Sequence, residues 1–126
     1  MDKVKFEIEI PIHASPRMLY EYLTTPSGLA EWFADDVDQR GKMLTFKWND
    51  YEEKAEVLQS RVDEKVRYKW EEDEDEDSFF QCSIQVDAIT KDVSLIITDF
   101  AEEDEVEESK MFWNNKIDGL KKAIGA

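Results

Sequence analysis

Apolar and polar residues alternate from Val4 to Ile12. Val4, Phe6, Ile8, Ile10 and Ile12 fall on one side and Lys5, Glu7 and Glu9 on the other, which predicts a half-buried strand. Pro11, on the polar side near its end, places that end at an edge or a bend. The period then changes. Ser15-Pro16 reads as a helix cap and first helical residue, and Leu19, Tyr22 and Leu23 supply one apolar face. Thr25-Pro26 repeats that grammar and opens a second short helix carrying Leu29, Trp32 and Phe33 at i, i+3, i+4. From Asp36 the period of two returns. Val37 to Arg40 predicts a short strand before a turn at Gly41-Lys42. Met43 to Trp48 sets Leu44, Phe46 and Trp48 against Met43, Thr45 and Lys47, and Asn49-Asp50 predicts a tight hairpin turn. Ala55 to Val62 is a less regular strand. Val66, Tyr68 and Trp70 alternate with Arg67, Lys69 and Glu71, and Phe80, Cys82, Ile84 and Val86 form the next inward row. After a turn at Thr90-Lys91-Asp92, Val93 to Phe100 is apolar on both faces through Leu95, Ile96 and Ile97, as in a strand that is central or covered on both sides.

The last stretch, Asp104 to Ile124, changes period again. Val106, Trp113, Ile117, Leu120 and Ile124 make one apolar stripe at helical spacing. Asp104 followed by Glu107 predicts a capping box. Acidic residues crowd the first turn and lysines the last, which suits the helix dipole, and Gly125 is the stop. Strand, two short helices, five or six antiparallel strands and one long terminal helix predict an α+β domain in which helices cover one face of an antiparallel sheet. Neither a linker nor an internal repeat divides the chain, so residues 1–126 are expected to form one domain.

Composition narrows the partners. A chain of 126 residues can bury roughly two thirds of its unfolded surface. Four Trp, four Tyr and seven Phe provide the core material, so a charged fraction of 37% does not imply disorder. The formal net charge is −15, from 31 acidic against 16 basic residues, and such a chain is repelled by nucleic-acid phosphates and anionic membrane surfaces. No nucleic-acid partner and no membrane insertion are expected. The single cysteine, Cys82, allows no intrachain disulfide; no apolar run approaches the ~18 residues of a membrane span, and Met1-Asp2-Lys3 leads directly into the predicted strand without the hydrophobic region of a signal peptide. A cytoplasmic location is the simplest expectation.

Three segments carry a family likeness: Ala14-Ser15-Pro16 leading through Tyr22-Leu23-Thr24-Thr25-Pro26 to Leu29-Ala30-Glu31-Trp32-Phe33; Arg40 to Trp48; and Leu95 to Phe100 followed by Trp113, Ile117 and Leu120. In this order they resemble the START-like, helix-grip (SRPBCC) superfamily, and are similar to its branch related to the activator of heat-shock-chaperone ATPase. The resemblance spans nearly the whole chain. It implies a curved antiparallel sheet gripping the last helix, with a cavity between them. It also implies one of three activities: binding of a hydrophobic small molecule, cyclase chemistry, or contact with a protein partner. The sequence departs from the branch at Asp99, where many relatives carry His, so no role of that His carries over.

The residues themselves offer little catalytic chemistry. His13, the lone histidine, stands at a strand-to-helix junction and lacks an orienting partner. A zinc site would have to use Cys82 and carboxylates at no recognised spacing, and Ser83, Ser94 and Ser109 lack a G-x-S-x-G context. No glycine-rich phosphate loop is present. We expect no catalytic residue, metal or cofactor, and the sequence weighs against an enzyme. The acidic runs Glu71 to Asp77 and Glu102 to Glu108 read as a self-repelling, solvated hairpin loop and an acidic helix start; together they could also face a basic partner. The aromatics are the remaining signal. Trp32, Phe33, Phe46, Trp48, Tyr68, Trp70, Phe80 and Trp113, with Ile117, Leu120 and Asp99, are the expected lining of a cavity for a hydrophobic or amphipathic small molecule. Asp99 or Tyr68 would orient a polar end, and Asp99 would need a partner such as Arg67 or Lys110 if buried. The rival reading is an interaction module resembling the chaperone activator, with an acidic surface and a packed interior. A cyclase or hydrolase stands third, by family analogy alone.

Overall fold

The computed structural model describes residues 3–125. The first alternating stretch forms β1 (Val4–Pro11), and the two Pro-initiated segments form α1 (Pro16–Thr24) and α2 (Pro26–Leu29). Six further strands follow: β2 (Asp36–Arg40), β3 (Met43–Trp48), β4 (Tyr51–Arg61), β5 (Lys65–Trp70), β6 (Phe80–Val86) and β7 (Val93–Ala101); α3 (Val106–Ile124) ends the chain. Among the described residues these strands make one antiparallel sheet in the order β1-β7-β6-β5-β4-β3-β2. β2 to β7 form a continuous meander, and β1 closes the far edge beside β7. The sheet is curved and α3 lies in its hollow, which is the α+β class that the order of elements predicts and the helix-grip arrangement that the family resemblance implies.

Register explains why the core is continuous. Residues opposite one another in an antiparallel pair point to the same face. Ile8 pairs with Ile97, Ile97 with Cys82, Cys82 with Val66, and Tyr68 with Phe80. Trp70 pairs with Ala55, Ala55 with Leu44, and Phe46 with Val37. The separate inward rows therefore join into one apolar face, on which Leu19, Leu23, Trp113, Ile117 and Leu120 from the helices are all buried. β7 lies between β1 and β6, as its two apolar faces predict; its outward Ile96 and Phe100 are half-buried and Thr98 is buried.

The structure corrects three local expectations. α2 is a single turn, and Trp32 and Phe33 fall beyond it in a tight turn whose amides from Phe33 and Ala34 both converge on the Leu29 carbonyl. Thr25 ends α1 and caps α2, its hydroxyl accepting from the Gly28 amide at 3.0 Å. β4 begins at Tyr51 because Asn49-Asp50 reverses the chain directly, pairing Tyr51 with Trp48; its irregular pattern reflects a register shift between Val57 and Gln59. The predicted capping box does not form: Asp104 sits inside a 3₁₀ turn, Glu103–Glu105, and no side chain caps α3. The predicted C-terminal stop does form, with Gly125 at φ 74° and its amide reaching the Lys121 and Lys122 carbonyls.

Candidate functional site

The predicted aromatic residues do meet, and Phe33 is their centre. Its ring centroid lies 5.1 Å from Phe46, 5.8 Å from Trp48, 6.0 Å from Phe80, 5.6 Å from Trp113, 6.4 Å from Trp70 and 5.4 Å from Trp32. These are contact distances for edge-to-face and offset-stacked rings. Phe33 is 2% exposed, and Trp32, Phe46, Tyr68, Phe80, Trp113, Ile117 and Leu120 are buried with it. The side chain of Phe33 occupies the middle of this cluster, and the other rings close upon it. The polar tips are satisfied from within. The Trp32 indole donates to the Tyr22 carbonyl at 2.8 Å, Trp48 to the Phe33 carbonyl at 3.0 Å, and the Tyr68 hydroxyl to the Leu23 carbonyl at 2.7 Å. Burial raises the Tyr68 pKa far above its ordinary value, so the phenol stays a donor.

Asp99 continues the Leu95 and Ile97 row toward α3, as expected, but its partner is neither Arg67 nor Lys110. One carboxylate oxygen accepts from the Trp113 indole at 2.8 Å and the other from the Phe100 amide at 2.7 Å. Arg67 is on the outer face of the sheet, 3.9 Å over the Phe79 ring and bonded to Gln81. Burial pushes the Asp99 pKa above the usual carboxylate range, against the pull of the Trp113 and Phe100 hydrogen bonds and of Lys3. Asp99 thus clasps α3 to β7. Cys82 is buried in the adjacent strand, and burial, reinforced by Asp99, pushes its thiol up to about 12, the behaviour of an inert structural cysteine. His13 is exposed in the loop between β1 and α1.

The aromatic cluster also reaches solvent. Tyr51, 60% exposed, stacks on Trp48 at 5.3 Å; Trp48 is 6.3 Å from Trp70; and Phe112, 44% exposed, lies against Phe33 at 6.5 Å. Trp70 also lines a groove of about 630 Å³ whose other walls are Lys3, Glu53, Lys54, Glu72, Asp73, Glu74 and Asp75. Five carboxylates face two lysines there. Glu53 stands opposite Phe46 in the β3–β4 register, on the inner face, and burial together with the Glu72 charge raises its pKa. The sequence reading passed over Glu53 because it began β4 at Ala55; the signal was its parity, one step along the Tyr51–Ala55 row.

The acidic hairpin that walls this groove is more ordered than a self-repelling loop. The Lys69 ammonium donates to the Asp75 and Ser78 carbonyls, Ser78 donates its hydroxyl to Asp73, and the Asp75 and Asp77 amides bond Asp73 and Asp75 side chains. Burial opposes the charge on Asp73. The hydrogen bonds from Ser78 and the Asp75 amide, with Lys3 and Lys69 nearby, outweigh it and hold the carboxyl below its usual range. The second acidic run brings carboxylate oxygens of Glu102, Asp104 and Glu105 within 4.8 Å of one another at the start of α3, where the helix dipole favours negative charge.

A family model described as the START-like superfamily domain matches residues 1–126. Protein BfR322 from Bacteroides fragilis, known as a solution structure, is 31% identical, with a TM-score of 0.71 over 98% of this chain and 93% of that one. The Aha1 dimer from Colwellia psychrerythraea is similar in fold, with a TM-score of 0.80 and 21% identity over 95% of each chain. Protein MLL2253 from Mesorhizobium loti gives a TM-score of 0.77 and 18% identity over 97% of each. No curated protein matches the chain.

Proposed function

The chain belongs to the START-like superfamily, and within it we propose a protein-interaction module: a packed helix-grip core that presents an acidic face to a basic partner. One observation carries this reading. Phe33 packs between the sheet ring of Phe46 and the α3 ring of Trp113, which supports a packed interior, while the groove beside it is walled by Glu53, Glu72, Asp73, Glu74 and Asp75. The net charge of −15 favours encounter with positive surfaces over any anionic one. The likeness to an Aha1 protein fits a partner-contacting role. The test is binding of an oligolysine peptide as a function of salt. Converting Glu53, Glu72 and Glu74 to glutamine should weaken binding about tenfold at low ionic strength. The same charge loss at Glu9, Glu31 and Asp118, which lie outside the groove, should cost much less. Equal loss from the two sets would make the attraction a property of net charge alone and remove the module.

The second reading is a small hydrophobic or amphipathic ligand between sheet and α3. It is favoured by the position of Phe33 in the turn beyond α2, outside any strand or helix, so its ring can leave without breaking a ladder. Trp113, Ile117 and Leu120 would then wall the vacated space. Saturable, salt-insensitive displacement of a bound apolar dye by fatty acids, with no groove-dependent oligolysine binding, is the result that selects it.

A further inference from the structure

We propose that the partner is amphipathic as well as basic, and that the aromatic rim of exposed Tyr51 and Phe112 and half-buried Trp48 and Trp70 receives its apolar side chains while the adjoining groove takes its Lys or Arg. The inference rests on the interaction-module reading and gives that partner its chemistry. Three observations support it. First, the rings are linked: Tyr51 stacks on Trp48, Trp48 neighbours Trp70, and Phe112 is connected to both tryptophans through the buried Phe33 ring. Second, it is held in shape before any partner arrives. The Trp48 indole is bonded to the Phe33 carbonyl, and Phe112 is braced edge-on against Trp113 at 5.7 Å. Rigid aromatic anchors lose little conformational entropy on binding, and Trp and Tyr dominate binding hot spots. Third, the rim and the acidic groove share Trp70, which has one neighbour set among the rings and lines the groove with five carboxylates. A cation placed there can meet both an aromatic face and a carboxylate.

Charge complementarity chooses the occupant. An anionic lipid surface or a nucleic acid would be repelled by these carboxylates. A purely apolar ligand would leave them unused, and a purely basic peptide would leave Tyr51 and Phe112 in water. A polypeptide segment with an apolar stripe flanked by Lys or Arg, of the helix-in-groove kind, satisfies both halves.

The probes are two labelled Leu/Lys peptides of identical composition, one with leucines at i, i+3, i+4 and i+7 and one scrambled, titrated by fluorescence anisotropy. The patterned peptide should bind about tenfold or more tightly than the scrambled one. The exposed-site double variant Tyr51→Ser/Phe112→Ser should erase that preference while leaving the scrambled peptide's affinity and salt dependence unchanged; circular dichroism verifies its fold. A milder pair, Tyr51→Leu/Phe112→Leu, should keep most of the preference. Equal affinity for the two peptides, or a preference that survives the serine variant, overturns the amphipathic partner and leaves the basic-partner module standing. Concentration-dependent dimerisation lost in the serine variant, without peptide preference, assigns the rim to a second copy and likewise overturns the proposal. No binding of either peptide at low salt overturns the module itself.

Discussion

Two hydrogen bonds occupy both oxygens of Asp99, one from the Trp113 indole and one from the Phe100 amide. The residue therefore does for the helix what the sequence could only suggest for a ligand: it supplies the polar point at which an apolar stripe is registered on an apolar row. Asp99→Ala leaves the Trp113 N–H without its partner and should cost about 1–3 kcal/mol of stability in urea unfolding. Its elevated pKa adds a pH signature. The native state keeps the proton over an interval in which the unfolded chain has released it, so stability falls as pH rises from the ordinary carboxylate value to the elevated one. Subtracting the unfolding profile of Asp99→Asn from that of the wild type, from about pH 4 to pH 7, should isolate this decline; a flat difference would place the proton elsewhere. The placement of Asp99 on the inner row was legible from alternation with Leu95 and Ile97. Its partner was not, because Trp113 is fourteen residues away in sequence and reaches Asp99 only once α3 has docked.

At the scale of elements, the α1–α2 junction shows how few residues decide the site. Thr25 closes one helix and opens the next, and Gly28 lets them approach: a Cβ at Gly28 would lie 2.6 Å from the Glu21 carbonyl oxygen and 2.7 Å from the Tyr22 Cα. Both are backbone atoms that cannot swing aside. Gly28→Ala should therefore destabilise by about 1–3 kcal/mol, measured as a lower urea midpoint. Because the next turn carries Trp32 and Phe33, the near-ultraviolet circular dichroism of the aromatic cluster should change with it. Retained stability and spectrum would mean that the helices separate freely and that the junction does not position Phe33. The sequence marked both helix starts through Ser15-Pro16 and Thr25-Pro26, since caps act within three residues. It overextended α2, since i, i+3, i+4 spacing also describes residues wound into a turn whose amides share one carbonyl. The acidic hairpin is more ordered than its composition implies for a similar reason. Like charges repel in isolation, whereas Lys69 reaches the loop from β5 and ties down two of its carbonyls.

For the molecule as a whole, 31 carboxylates against 16 basic residues make self-repulsion the dominant long-range term. Among the described residues, few of these charges are paired in a way that would offset it. Lys47–Asp38 at 2.9 Å and Arg61–Glu64 at 3.7 Å are well exposed, and pairs of that kind contribute little. Raising ionic strength from about 0.01 M to 0.5 M should therefore raise the thermal midpoint by several degrees. A midpoint that falls with salt would show that attractive pairs, among them those of Lys3 and Lys69 with Asp73, outweigh the repulsion. The same field would favour the proposed cationic partner over an anionic one, so stability and the proposed recognition share one electrostatic cause.

The elements, their order and the inward face of most strands follow from the chain itself, because period-two and helical periodicities, proline-led caps and the Gly125 stop are written within a few residues of where they act. The α+β class follows from that order, and the helix-grip arrangement from the family resemblance carried by the three segments. Tertiary structure alone decided the interior and the surface. Whether eight aromatics enclose a space or fill it depends on where one of them, Phe33, is delivered by the turn after α2. Whether Glu53 counts as a site residue depends on a register that brings it opposite Phe46. Composition names the same residues for a pocket and for a core; only distances between rings that are remote in sequence tell the two apart.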